Sequence, residues 1–163
     1  MICHTAKVVN EISLNKDVEG ITLENMSKIS HGNTKEATIP CTAAACLHIL
    51  KSYNVDLAGK HCVIINKSLN VGLPLFQLLL NHNATVTMCN PFESDIREMV
   101  SEADIVISAI GKPGCIKSEW VKDNAVIVDV GIFKQGKKTL GDIALEEEVK
   151  FYKGKRCLFL IGK

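Results

Sequence analysis

The sequence predicts an α/β domain: a parallel sheet with helices on both faces. Short runs rich in Val and Ile recur along the chain, most of them continuously apolar rather than alternating. Strands buried on both faces read this way. The segments between them carry apolar residues at helical spacing, so strand and helix alternate as in a parallel sheet. Turn residues mark almost every junction.

The elements follow in order. Residues 1–38 are polar and mixed, with a turn-like acidic cluster at Lys16-Asp17-Val18-Glu19-Gly20 and a loop at Ser30-His31-Gly32-Asn33-Thr34. A segment this poor in apolar residues needs a covering surface to be ordered. Thr42 is the expected cap of a helix to about Tyr53, with Cys46, Ile49, Leu50 and Tyr53 on one face. The organising stretch is Gly59 to Leu80: a strand at Cys62 to Ile65, a polar loop, and an apolar helix beginning near Pro74. Proline is tolerated in a first helical turn, where its missing N–H has no intrahelical partner. Strand, tight loop and helix N-terminus can cradle a pyrophosphate, because free N–H groups and the helix dipole both favour an anion. The glycine fingerprint is degraded, since Asn66 stands at the tight-turn position and only Gly72 remains. A plain buried strand–helix unit is therefore the other reading of this stretch.

Further strands are expected at Ala84 to Cys89, Asp104 to Ile110, Ala125 to Val130 and Cys157 to Ile161. Helical pieces are expected around Ile96, Met99 and Val100, around Lys117 to Val121, and from Asp142 to Lys150, with a basic turn at Gly136 to Lys138. The result is a Rossmann-like parallel sheet.

At 163 residues and 47% apolar composition the chain can fill a single core. A net charge of +1 with scattered lysines argues against nucleic acid, and the longest apolar run is too short to span a bilayer. Seven cysteines without a C-x-x-C pair read as buried thiols in a reducing compartment. That points to the cytoplasm, with the mitochondrion as the alternative. No signal peptide is expected from the N-terminal residues. No spacing suits metal ligands, and an Asp129–Asp142 pair reads more simply as loop-capping carboxylates. Cys41 with His31 or His48 could form a nucleophile pair, but Cys41 precedes a helix in an apolar setting.

Ile39-Pro40-Cys41-Thr42, Ala84-Thr85-Val86-Thr87, Gly111-Lys112-Pro113, Val128-Asp129-Val130-Gly131-Ile132 and Gly141-Asp142-Ile143 occur in a familiar order. With Lys16-Asp17-Val18-Glu19-Gly20, Asn25, and Lys67-Ser68 followed by Val71-Gly72 and Pro74, the chain resembles the bifunctional methylenetetrahydrofolate dehydrogenase/methenyltetrahydrofolate cyclohydrolases. The resemblance runs from about Lys7 to Ile161. It implies the nicotinamide-binding half of an enzyme of folate one-carbon metabolism, an oxidoreductase and hydrolase with a tetrahydrofolate derivative as substrate, commonly a homodimer. It also implies that residues 1–38 are a remnant of the folate-binding lobe and linker, with residues 39–163 as the NAD(P)-binding domain.

Site residues carried over by the resemblance are Asn66, Lys67, Ser68, Pro91 and Ile132 for the cofactor, and Glu19 for the folate. Several depart from the family pattern. Lys67 keeps a charge but loses the bidentate fork of an arginine. Pro91 has neither hydroxyl nor N–H to donate. Glu19 replaces an aspartate, which displaces the carboxylate by about one bond length. No acid closes the second strand to bind a ribose hydroxyl, which with Lys67 nearby favours NADP over NAD. Ligands sit at strand carboxyl ends in such sheets, so Ser68, Pro91, Gly111 and Ile132 are the expected rim. The family's catalytic Y-x-x-x-K is absent: Tyr53 is followed by Leu57 and Tyr152 by Arg156 at the lysine position. Its P-G-G-V-G-P segment is also missing, so the chain is expected to be truncated at both ends relative to the family. No catalytic side chain is assigned, and the chain alone is expected to be inactive. A degenerate, non-catalytic nucleotide-binding or dimerisation module of the same fold is the alternative.

Overall fold

The computed structural model describes residues 5–90, 96–136, 138–144, 151–152 and 155–159. Its helices are α1 (Thr5–Asn10), α2 (Leu23–Ser30), α3 (Cys41–Ser52), α4 (Gly72–Leu80) and α5 (Ile96–Glu102). The main sheet takes β1 (His61–Ile65), β2 (Thr85–Cys89), β3 (Ile105–Ser108), β5 (Val126–Asp129), β9 (Phe151–Tyr152) and β10 (Lys155–Phe159). A short parallel pair, β4 (Ile116–Lys117) with β8 (Ile143–Ala144), and a hairpin of β6 (Phe133–Gln135) with β7 (Lys138–Leu140) lie outside it.

Sheet order is β2-β1-β3-β5-β10-β9, parallel throughout except for the β9 edge, which runs antiparallel to β10. The chain moves from β1 outward to β2, then crosses back to place β3 on the other side of β1. The reversal leaves a switch point between β1 and β3, where ligands bind in sheets of this type.

Period-two geometry explains why continuous apolar runs became strands. Cys62 and Ile64 of β1, Ile105 and Ile107 of β3, and Val128 of β5 join the core under α2, α3 and α4. Val63, Ile65, Val106 and Ile127 point the other way, into a second core with Ile96 and Val100 of α5 and Val121. The helices packed on the sheet bury one stripe at helical spacing, as Leu75, Leu78 and Leu79 on α4 and Ala43, Cys46 and Leu50 on α3 show.

Several local expectations are corrected. Thr42 lies inside α3, whose N-cap is Pro40 with no side-chain hydrogen bond; the first turn leans on Ala44 N–H donating to the Pro40 carbonyl. Tyr53 is exposed, and Ala43 takes the core position expected of it. The short helical piece expected around Lys117 to Val121 is present as a 3-10 turn at Ser118–Trp120, directly after the unanticipated strand β4. The helix expected from Asp142 begins as strand β8, because Asp142 and Ile143 give their N–H groups to Asp129 rather than to helical partners. Residues 145–150 lie outside the described part. The basic turn at Gly136 joins a hairpin whose strands had not been anticipated.

Residues 23–30 are better anchored than their composition suggests. Met26 and Ile29 are buried in the same core as Leu50 and Leu79. Asn81 at the end of α4 donates to the Ile29 carbonyl at 2.8 Å. The covering surface for this part of the segment is α4.

Candidate functional site

A cleft of about 330 Å³ opens at the carboxyl ends of β3 and β5. One wall is Ala109, Ile110 and Gly111, directly after β3; the other is Val130, Gly131 and Ile132, directly after β5. Thr42 on α3 and Val71, the residue before α4, close it. The cleft therefore sits beside the β1–β3 switch point, and its size is in the range of small-molecule sites. None of its lining side chains is ionisable. Ile132 remains 45% exposed on the rim, an apolar surface facing solvent.

The loop between β1 and α4 is held by one side chain. Asn66 Nδ2 donates to the Ala109 carbonyl at 2.7 Å, tying β1 to the segment after β3. Asn66 Oδ1 accepts from Ser68 N at 2.8 Å, from Ser68 Oγ at 2.7 Å and from Gly72 N at 3.0 Å. Ser68 Oγ also accepts from Val71 N. Gly72 packs so closely on the Asn66 backbone that a Cβ would collide with its carbonyl. Asn66 thus replaces a tight-turn glycine by supplying the loop with its own acceptor. Three N–H groups, those of Ser68, Val71 and Gly72, and one hydroxyl of the turn are consequently used inside it.

Of the expected rim, Gly111 and Ile132 line the cleft. Lys67 and Ser68 are exposed on the neighbouring loop and do not line it. Pro91 lies outside the described residues. Glu19 is exposed in the turn that Asp17 organises. Asp17 is buried and accepts from Gly20 N at 2.8 Å, Ile21 N at 3.3 Å, Thr22 N at 2.9 Å and Asn25 Nδ2 at 2.6 Å. Asn25 Oδ1 in turn accepts from Thr38 N at 3.0 Å. Lys-Asp-Val-Glu-Gly with a following Asn is thus a folding device that presents Glu19. A second hollow of about 470 Å³ is lined by Ile12, Leu14 and Leu23 among others, away from the strand ends.

Sequence reasoning missed Thr42, Val71, Ala109, Ile110 and Val130 as lining residues. Their signal was positional: three of them fall within two residues of a strand's carboxyl end. Asp129 and Asp142 are both buried, and hydrogen bonds to backbone N–H groups occupy them, as loop-capping carboxylates would be. Burial pushes the Asp129 carboxyl up from its ordinary value, against the pull of the Ile143 and Asp142 N–H groups. His31 Nδ1 donates to the Ser27 carbonyl at 2.8 Å, which commits that nitrogen locally.

Cys46, Cys62 and Cys89 are buried, and Cys41 is exposed at the start of α3. Burial pushes the Cys46 and Cys62 thiols up to about 12. The thiolate is the reactive form, so Cys41 should alkylate with iodoacetamide well before Cys46 or Cys62. Peptide mapping of a time course reads the order directly. Early labelling of Cys46 or Cys62 in the folded chain would contradict this packing.

Residues 40–154 match the family model described as tetrahydrofolate dehydrogenase/cyclohydrolase, NAD(P)-binding domain. The chain is 40% identical over 151 residues to the rat protein named C-1-tetrahydrofolate synthase, cytoplasmic, covering 88% of this chain and 16% of that one. It is 40% identical over 143 residues to the bifunctional protein FolD of Clostridium botulinum, covering 88% of this chain and 50% of that one. The FolD dehydrogenase/cyclohydrolase structure from Campylobacter jejuni superposes with a TM-score of 0.85 at 34% identity, over 94% of this chain and 54% of that one. The Trypanosoma brucei FolD structure, complexed with NADP cofactor and inhibitor, gives 0.82 at 29% identity, over 96% and 54%. The chain thus spans about half the length of the FolD relatives and a smaller share of the synthase. Among the described residues no helix is long and apolar enough to cross a membrane. The match over residues 40–154 shows that the chain belongs to the tetrahydrofolate dehydrogenase/cyclohydrolase family, the matched region being its NAD(P)-binding domain.

Proposed function

We propose that this chain is the nicotinamide-binding half of a bifunctional 5,10-methylenetetrahydrofolate dehydrogenase/5,10-methenyltetrahydrofolate cyclohydrolase, acting in cytoplasmic one-carbon metabolism. The observation that carries this reading is the cleft at the β1–β3 switch point, walled by the segments after β3 and β5. Residues 39–163 form the dinucleotide half, and residues 1–38 are the part of the folate lobe and linker that packs on it. The substrate is a tetrahydrofolate derivative, with Glu19 as its contact, and the working assembly is a homodimer.

The donor set fits a dinucleotide in outline. Asn66 shapes the loop, Gly72 permits its close approach to α4, and Lys67 and Ser68 stand exposed beside it. Pro91, outside the described residues, is assigned to the cofactor on the family resemblance alone. Lys67 can pair with phosphate, which favours NADP over NAD. When bound, the cofactor supplies the hydride acceptor, chemistry the protein itself does not provide. The chain's part is positional. Ile132 would offer an apolar face to a bound nicotinamide ring, and the two walls would orient it. No ionisable group among the described residues lines the cleft, so proton handling for cyclohydrolysis is assigned to groups beyond this lining.

NADP binding by the chain alone is expected to be weak, with a dissociation constant above about 1 μM. Asn66 already consumes Ser68 N, Ser68 Oγ and Gly72 N, and Lys67 cannot fork. Each charge-assisted hydrogen bond not made forfeits about 1.5–3 kcal/mol. Calorimetric titration with NADP and with NAD measures it, and submicromolar affinity would overturn the expectation. That same internal bonding of the loop favours the second reading, a non-catalytic nucleotide-binding or dimerisation module. Heat of binding absent for both nucleotides at millimolar concentration would remove the dinucleotide reading altogether.

A further inference from the structure

The two walls of the cleft meet on one buried side chain. Asp142 follows β7, remote in sequence from both walls, and is fully buried. Its Oδ2 accepts from Ser108 Oγ at 2.8 Å and from Ile110 N at 2.6 Å, and its Oδ1 accepts from Lys112 N at 2.8 Å. These bonds fix the wall that follows β3. The same carboxylate lies flush against Gly131 of the opposite wall, where a Cβ would run into it. Asp129 completes the reciprocal arrangement. Its Oδ1 accepts from Gly131 N and from Asp142 N, both at 3.0 Å, and its Oδ2 accepts from Ile143 N at 3.0 Å. Gly141 packs on the Asp129 carboxylate as Gly131 packs on that of Asp142.

We propose that Asp142 is a positioning residue that sets the width of the cofactor cleft by clamping its two walls to each other. One oxygen pair holds Ile110 and Lys112, and the contact with Gly131 fixes how far the second wall stands from them. Ile110 and Gly131 both line the cleft, so a shift of the carboxylate by a bond length moves both surfaces that would meet the ligand. A carboxylate is required because all three donors converge on two oxygens. A carboxamide would turn an N–H toward at least one of them, and glutamate has no room against Gly131. The ligand half of this inference rests on the dinucleotide reading above; the clamp itself does not.

The test compares wild type with Asp142→Asn and Ser108→Ala, the latter removing one donor and leaving the carboxylate in place. Ile127→Val, in the core beneath the sheet, controls for loss of stability. Amide exchange followed by NMR should accelerate at Ile110 and Lys112 in Asp142→Asn by about tenfold beyond the change at Val63 or Ile64. Ser108→Ala should show the same pattern with a smaller factor, and Ile127→Val should show none. NADP affinity should fall about tenfold in Asp142→Asn, while affinity for 2′,5′-ADP, which lacks the nicotinamide, stays within about twofold. A general loss of structure would weaken both ligands together. Exchange at Ile110 and Lys112 that rises no more than in strand β1, in either variant, overturns the clamp. An equal loss for NADP and 2′,5′-ADP overturns its role at the nicotinamide. Should wild type bind neither nucleotide, the dinucleotide reading fails, and the exchange pattern still decides the clamp.

Discussion

Supplied with methylenetetrahydrofolate and NADP or NAD, the purified 163-residue chain is expected to give no measurable formation of reduced cofactor and no cyclohydrolase turnover. The two walls of the cleft offer only apolar and backbone groups, and none of the described residues lining it ionises. Neither Tyr53 nor Tyr152 has a lysine four residues on. Without a group facing the cleft there is nothing to hold a pterin against the nicotinamide. Positioning is worth on the order of 7–11 kcal/mol of barrier, and a general acid/base another factor of about 100 to 10,000. Weak cofactor contacts cannot offset losses of that size. Joining the chain to the N-terminal lobe of a FolD relative should restore turnover. The measurement is absorbance of the reduced cofactor over time. Steady turnover by the chain alone, abolished by Lys67→Ala, would show that this half suffices. Inactivity of the joined form as well would favour the non-catalytic module.

The architecture was legible because it depends on patterns that survive substitution. β1, β3 and β5 are buried on both faces, so their sequences had to be continuously apolar, and such runs have few other readings. α4 announced itself through Leu75, Leu78 and Leu79, and its N-terminal Pro74 marked the entry. The errors fall where local pattern and tertiary hydrogen bonding disagree. Asp142 to Lys150 reads as a helix, yet Asp129 claims the N–H groups of Asp142 and Ile143 from thirteen and fourteen residues away. Nothing near Asp142 in sequence signals that competition. The hairpin of β6 and β7 was hidden for a related reason: Phe133, Lys134 and Gln135 are all exposed, so no buried face imposes alternation on them.

The candidate site was legible in its location more than in its residues. The strand-end rule pointed to Gly111 and Ile132, and both line the cleft. It could not anticipate that Asn66 would spend its carboxamide on the loop itself, because that depends on where Ala109 and Gly72 lie in space. The sequence read Asp129 as a loop cap rather than half of a metal pair with Asp142, but it could not say which groups the two carboxylates hold. That depends on burial and on six N–H and O–H donors that converge only in the fold.

Asp17→Ala is expected to lower the unfolding free energy at neutral pH by about 3 kcal/mol or more. The substitution strands Gly20 N and Thr22 N, both buried, and leaves Asn25 Nδ2 only its 3.3 Å hydrogen bond to Thr22 Oγ1. Urea denaturation against an Asp56→Ala control, where the carboxylate is exposed, measures the difference. The effect should also depend on pH in a defined sense. Burial alone would raise the Asp17 pKa, but hydrogen bonds from Thr22, Asn25 and Ile21 outweigh it and hold the carboxyl at about 2, against an ordinary 3.8. As pH falls the unfolded chain therefore takes up this proton first. The stabilisation is complete above about pH 4 and is lost between there and about pH 2, amounting to about 2 kcal/mol. The gap between wild type and Asp17→Ala should narrow by that amount across the window. The loss should reach the cleft as well. Asp17 holds Gly20 against the Thr38 carbonyl and Pro40, the entry to α3, and Thr42 two residues later closes the cleft. A variant within about 1 kcal/mol of wild type at neutral pH, or a gap that stays constant on acidification, would mean that Asp17 does not organise this end of the molecule.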